Sequence, residues 1–280
     1  MLRHSAHVFF CKSITFSDIF DFACMFGVLC GQHLNFVKFK SNMKLLVFQH
    51  IDCEHPGSLR QFLSEDGVEW DAVNLHRGEN IPDLDGYDAL WVMGGPMDVW
   101  DIEDCPWLVA EKMAIRRWVG ELRKPYLGLC LGHQLLADAM GGTCGPMNTP
   151  EIGVLEVELT NEGASDSLFQ GTTHIQQCLQ WHSVRVAQPP EGAVVLATSD
   201  ACSVQAMRVG SNAWSMQYHV EIETDTVENW GKVPAYAAAL HSSLGSDGLA
   251  TMKNESDAVM DYCLSSARQI YQNFMNLARK

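Results

Sequence analysis

Cations are scarce in this 280-residue sequence: 19 Lys and Arg stand against 34 Asp and Glu, a formal net charge of −15 at pH 7. Nucleic-acid binding needs clustered cations to neutralise phosphates, so no nucleic-acid partner is expected. Cysteine pairing motifs are missing as well. The 10 cysteines are Cys11, Cys24, Cys30, Cys53, Cys105, Cys130, Cys144, Cys178, Cys202 and Cys263. None forms a Cys-x-x-Cys pair, which removes zinc-ribbon and thioredoxin-like chemistry. Scattered thiols at this density fit a reducing, cytosolic compartment and not a disulfide scaffold. No long apolar run is free of charge. Ile14 to Leu29 comes nearest, but Asp18 and Asp21 interrupt it, and a carboxylate is costly in a bilayer, so no membrane partner is expected. No Gly-rich nucleotide loop of the P-loop or Rossmann type occurs. What remains is ample for a folded domain: 47% of residues are hydrophobic and only 19% charged, enough to bury a sizeable core.

Residues 1–42 are rich in Phe and Cys and carry no periodicity. They are expected to form a poorly ordered, dispensable N-terminal extension, present either as such or through an upstream start codon. A transit peptide is the lesser alternative. From Met43 a single domain is expected to run to residue 280.

The patterning of that domain is α/β. Leu45 to Ile51, Val68 to Leu75, Asp88 to Met93 and Pro125 to Leu129 are short apolar runs of the kind a sheet buries on both faces. Helical stretches alternate with them: Ser58 to Glu65, Trp107 to Arg123, and Leu131 to Met140, the last stopping at Gly141-Gly142. Strand–helix alternation predicts a mostly parallel central sheet with helices on both faces. Between Gly153 and His219 the pattern changes to short β-type runs with little helix between them, which predicts a small antiparallel addition. Met260, Leu264, Ala267, Tyr271, Phe274 and Leu277 then mark one long amphipathic helix, capped by Ser256 or Asp257.

One segment carries chemistry. In Pro125-Tyr-Leu-Gly-Leu-Cys-Leu-Gly-His-Gln-Leu135, Cys130 lies between Gly128 and Gly132, after a strand and before a helix. This is the form of a nucleophile elbow with Cys in place of Ser. Small residues at −2 and +2 allow the sharp turn, the helix N-terminus favours a thiolate, and the N–H of Leu131 is free to face an oxyanion. A buried structural cysteine is the plain alternative. A thiolate also needs a proton-transfer partner and a group to orient it. His219 ends a strand candidate, and Glu221 follows two residues later, so both side chains can enter one crevice.

These blocks resemble a known family. Gly128-Leu-Cys130-Leu-Gly132-His133-Gln134 and Gln217-Tyr218-His219-Val220-Glu221 are similar to the two signature blocks of class I glutamine amidotransferase domains. Gly94-Gly95-Pro96 resembles that family's oxyanion loop. The likeness spans about Met43 to Trp230, and within the family it is nearest to stand-alone GMP-synthase-like amidotransferases. The resemblance implies a flavodoxin-like three-layer sandwich. It implies Cys130 as nucleophile, His219 as general base and acid, Glu221 as orienting carboxylate, and Gly95 and Leu131 as oxyanion donors. Gln134, Trp181, His182 and Ser183 would bind substrate, although Val184 stands where many members have Asp. Val220 replaces the Pro of the usual His-Pro-Glu.

The implied substrate is glutamine or another γ-glutamyl small molecule, with no metal or cofactor required. The ammonia would go to a separate synthetase subunit or be released. A γ-glutamyl peptidase with the same triad, or a non-enzymatic regulatory module on the same fold, are the alternatives. A related thiol superfamily places His directly after Cys, but here that residue is Leu131, which favours the amidotransferase branch.

Other features have duller readings. His50, Asp52, Glu54 and His55 cluster after the first strand without matching a known metal spacing, so loop polarity is expected. Trp91, Trp100, Trp107 and Trp118 are expected to pack in the core. His133 is expected to be a polar helix-face residue.

Overall fold

The computed structural model describes residues 43–279; the expected extension at 1–42 lies outside them. Strand β1 (Lys44–Gln49) is buried along nearly its whole length. Leu45 and Val47 join one hydrophobic cluster, and Leu46 and Phe48 join the other. A strand with core on both sides has no use for polar alternation, which is why its sequence reads as an unbroken apolar run.

The remaining elements follow in order: α1 (Leu59–Asp66), β2 (Glu69–Asn74), β3 (Ala89–Val92), α2 (Trp107–Arg116), β4 (Tyr126–Leu129) and α3 (Leu131–Ala139). Then come β5 (Thr143–Leu159), α4 (Asn161–Ser165), β6 (Ile175–Gln188), β7 (Val194–Thr198), β8 (Ala206–Val209) and β9 (Ala213–Met216). The chain closes with α5 (Thr226–Trp230), α6 (Pro234–Leu244) and α7 (Gly248–Ala278). No described helix is long and apolar enough to cross a membrane.

The nine strands of the described residues form one sheet in the order β2-β1-β3-β4-β9-β8-β7-β5-β6. Helices α1 and α7 cover one face through Phe62, Leu63, Ile270, Tyr271 and Phe274. Helices α2 and α3 cover the other through Leu108, Ile115, Leu135 and Leu136. Each such side chain, fully buried, contributes about 1.5–3 kcal/mol of transfer free energy. Aromatic packing fixes the α7 seat, with Trp91 edge-on to Tyr271 and Phe274 at 6.3 and 6.0 Å between centroids.

The α/β three-layer expectation holds, but the sheet is not mostly parallel. Pairings from β2 through β1, β3, β4 and β9 are parallel. Those from β9 through β8, β7, β5 and β6 are antiparallel, so the antiparallel part is half of the sheet. Short links join several of those strands, and short links favour antiparallel neighbours. Three boundaries also differ. β5 begins at Thr143 and absorbs Pro146 and Pro150 at an irregularity in its pairing with β6. The helix after Pro106 turns into a π-helical segment, Arg117–Leu122, and stops at Arg123 with φ 53°. The last helix starts at Gly248, with Ser256 buried within it, and α6 precedes it.

Candidate active site

Loops leaving the C-terminal ends of adjacent parallel strands build the site, as is usual for open α/β sheets. His50 follows β1, Gly94 and Gly95 follow β3, Cys130 follows β4, and Gln217 to Glu221 follow β9. Cys130 sits at the N-terminus of α3 with φ 51° and ψ −105°. A non-glycine residue there is strained by roughly 1–3 kcal/mol, which the surroundings must offset. They do so by tying down both flanks. The Cys130 N–H donates to Met216 O at 2.8 Å, the Gly132 N–H donates to Met93 O at 3.1 Å, and Tyr126 Oη donates to Gly132 O at 2.7 Å. A Cβ on Gly128 would collide with Gly132, and one on Gly132 with the Val92 carbonyl. The glycines on either side of Cys130 are therefore required by close packing of α3 against β3 and β4.

His219 is held in place by an isolated bridge to β6, its N–H donating to Leu179 O at 2.9 Å. Its Nδ1 lies 2.7 Å from Glu221 Oε1, and its ring is electrostatically coupled to the Cys130 sulfur. The second Glu221 oxygen accepts the Val220 N–H at 2.9 Å. A proline at that position has no N–H to give, so Val220 adds a bond. Glu221 is fixed from behind too. Its carbonyl accepts the Ser58 N–H at 2.7 Å, and a Cβ on Gly57, whose φ is +46°, would overlap that carbonyl.

Electrostatics couple the pair. Burial disfavours the His219 imidazolium, but Glu221 and the Cys130 sulfur outweigh it and raise its pKa well above the ordinary value. Burial pushes the Cys130 thiol up, opposed by His219. Sequence reasoning expected the helix N-terminus to lower the thiol; a sulfur this enclosed is governed by desolvation instead.

A cavity of about 100 Å³ opens on Cys130. Gly95, Leu131, Gln134, Trp181, His182 and Ser183, all singled out from the sequence, line it together with Val184 and Asp98. His219 and Glu221 do not line it. The Leu131 N–H is in the first turn of α3, where no intrahelical acceptor exists. Gln134 Nε2 donates to Val184 O and Gln217 Oε1, each at 3.1 Å, and Gln217 Nε2 is 3.7 Å from Cys130 Sγ. His182 Nε2 is 3.1 Å from Glu151 Oε2.

Several residues behave differently from expectation, and several were missed. The His50–His55 cluster disperses. His50 Nδ1 donates to Gly94 O and Nε2 pairs with Glu111 Oε1, both at 2.8 Å. Asp52 joins His76 and Arg77 at the surface. Among the described residues no three His, Cys, Asp or Glu side chains are grouped to hold a metal. Glu54 is buried and accepts a hydrogen bond from Tyr236 Oη; burial raises its pKa. Tyr236, on α6, also lines the cavity with Ala235 and Ala239.

Trp230 packs its ring on His219 at 4.5 Å and donates to Cys53 O at 3.1 Å. Trp91 and Trp118 are core residues, whereas Trp107 stacks on His50 at 5.5 Å and Trp100 is 45% exposed. His133 is buried, not on a solvent face. Its Nε2 donates to Val204 O at 3.1 Å, so Nδ1 accepts from Ser215 Oγ at 2.8 Å. Burial pushes its pKa down to about 3, keeping it a neutral strut.

Residues 50–229 match the family profile described as glutamine amidotransferase class-I. The glutamine-hydrolysing GMP synthase subunit of Sulfolobus acidocaldarius is 32% identical over 155 residues, covering 55% of this chain and 77% of that protein. Gamma-glutamyl peptidase 3 of Arabidopsis thaliana is 26% identical over 163 residues, covering 56% and 64%. Among solved structures, a glutamine amidotransferase from Thermotoga maritima superposes with a TM-score of 0.73 at 24% identity, covering 83% of this chain and 97% of that one. That last likeness concerns the fold.

Proposed function

The chain belongs to the class I glutamine amidotransferase family, and from that membership we propose that it hydrolyses the γ-amide of glutamine through Cys130, His219 and Glu221. The observation that carries this reading is the line from the strained Cys130, through the His219 ring whose electrostatics it shares, to Glu221 Oε1 2.7 Å from that ring's Nδ1. A buried structural cysteine has no need of such a line.

The chemistry follows from the atoms. His219 takes the thiol proton as Cys130 Sγ bonds to the γ-carbonyl carbon. The carbonyl oxygen becomes an oxyanion and receives the N–H groups of Gly95 and Leu131. When it collapses, the C–N bond breaks and His219 returns its proton to the leaving ammonia. Water then attacks the γ-glutamyl thioester with His219 as base, releasing glutamate and restoring the thiol. Glu221 keeps Nδ1 protonated, so the other ring nitrogen is the one that exchanges protons.

The likeness to a protein that is one subunit of a GMP synthase supports delivery of the ammonia to a separate synthetase chain. A second reading is hydrolysis of a γ-glutamyl peptide with an amino-acid leaving group, favoured by the likeness to gamma-glutamyl peptidase 3. The experiment incubates the purified protein with L-glutamine and with γ-glutamyl dipeptides, measuring ammonia and free amino acid. Ammonia release abolished by Cys130→Ala supports the proposal. Release of amino acid alone transfers it to the second reading. Full activity in Cys130→Ala would end both.

A further inference from the structure

We infer that Asp98 is the specificity residue that receives the α-ammonium group of the γ-glutamyl donor, an assignment that rests on the hydrolysis proposed above. Asp98 is three residues past Gly95 on the same loop. Its own N–H donates to Asp101 Oδ2 at 2.8 Å, which fixes the turn. Its side chain is the only carboxylate on the cavity wall that holds Cys130, and no Lys or Arg lines that wall among the described residues. It accepts no hydrogen bond and pairs with no cation among the described residues, and the neighbouring Asp101 carboxylate faces it.

Every other carboxylate near the site is engaged. Glu221 is held by His219 and Val220, and Glu54 by Tyr236. Glu151 is held by His182, by Ser199 at 2.6 Å and by Gln205 at 2.8 Å. An unpaired, half-buried carboxylate costs desolvation that a cation would recover. A γ-glutamyl donor with its amide at Cys130 and Gly95 extends its α-carbon further along the same small cavity. The α-ammonium is the only cationic group such a donor carries. Val184, with its apolar side chain, offers it nothing.

A charge-assisted bond of this kind is worth enough to change affinity roughly 10- to 100-fold. The test compares L-glutamine with glutaramate, which is glutamine without its α-amino group, as donors for wild type, Asp98→Asn and Asp98→Ser, with thermal melts beside the assays. Wild type should prefer glutamine. In the variants the KM for glutamine should rise roughly 10- to 100-fold, and the kcat/KM ratio of glutamine to glutaramate should fall by a similar factor. Asp98→Glu should restore part of the preference, which a merely structural loop residue would not do. Retention of the wild-type ratio in either folded variant overturns the assignment while leaving hydrolysis intact. A wild type that acts on no γ-glutamyl compound overturns the underlying reading itself, and with it this one.

Discussion

His219 Nδ1 lies 2.7 Å from Glu221 Oε1, while Glu221 Oε2 accepts the N–H of Val220 at 2.9 Å. Both carboxylate oxygens are thus committed, and the carboxylate cannot rotate away from the imidazole. Glu221→Gln should therefore keep the fold but release control of the ring, because an amide can present a donor or an acceptor to it. The corresponding change in the Ser-His-Asp template costs about 10⁴ in turnover. A thiol nucleophile depends less on its base, so the expected loss is roughly 10- to 1000-fold. His219→Ala should lose more, since leaving ammonia then lacks its acid. Steady-state ammonia release, with a melt to confirm folding, decides; wild-type turnover in folded Glu221→Gln would remove Glu221 from the mechanism.

Cys130 should be the first cysteine modified by a glutamine-like electrophile, because among the described cysteines it alone lines this cavity and is coupled to a buried imidazole. Cys53 and Cys105 are less enclosed, but burial pushes the Cys53 thiol up to about 11 and also raises that of Cys105. Peptide mapping after partial inactivation reads the order. Earlier labelling of Cys53 or Cys105 would contradict the assignment.

Gly132→Ala should destabilise the protein severely, since its Cβ has no room against the Val92 carbonyl, a backbone atom that cannot rotate aside. Overpacking of this kind typically costs about 1–3 kcal/mol or more. Gly86→Ala is the control: nothing lies within 4 Å of a Cβ there. A thermal midpoint for Gly132→Ala equal to that of Gly86→Ala would mean that the elbow is looser than described.

Stability should fall on the alkaline side. Burial works against the charge on His50, but Glu111 and the Gly94 carbonyl outweigh it, and its pKa stands above 6.5. The folded protein thus holds this proton more tightly than the unfolded chain. The stabilisation is complete below pH 6.5 and is lost as pH rises through the raised value; His219 acts with the same sign. Glu111→Gln should weaken this slope and lower stability at mildly acid pH by about 3–5 kcal/mol. Denaturant melts across the pH range provide the test, and an unchanged slope would exclude the His50–Glu111 pair as its source.

What the sequence made legible was local. The elbow is written in five consecutive residues, Gly128 to Gly132, and His219 and Glu221 stand two apart on one strand end. What it hid was either irregular or remote. β5 runs through Pro146 and Pro150, residues that cannot donate to a ladder and that sit at the irregularity in its pairing with β6, well before the Val154 to Leu159 run that has strand character in the sequence. α7 opens at Gly248 among small and polar residues, well before its apolar stripe begins. Glu54 and Tyr236 meet across 182 positions, and nothing near either one announces the contact. The π-helical segment at Arg117–Leu122 kept its apolar spacing and so passed for ordinary helix.

Ala235, Tyr236 and Ala239 of α6 close the cavity from a stretch that lies beyond the 50–229 family match. The residues proposed to break the bond and part of the cavity wall beside them thus lie in separate stretches of chain. A change confined to α6 would alter the wall of the cavity without altering Cys130, His219 or Glu221. Grafting α6 alone is the shortest route to a new donor preference on an unaltered engine.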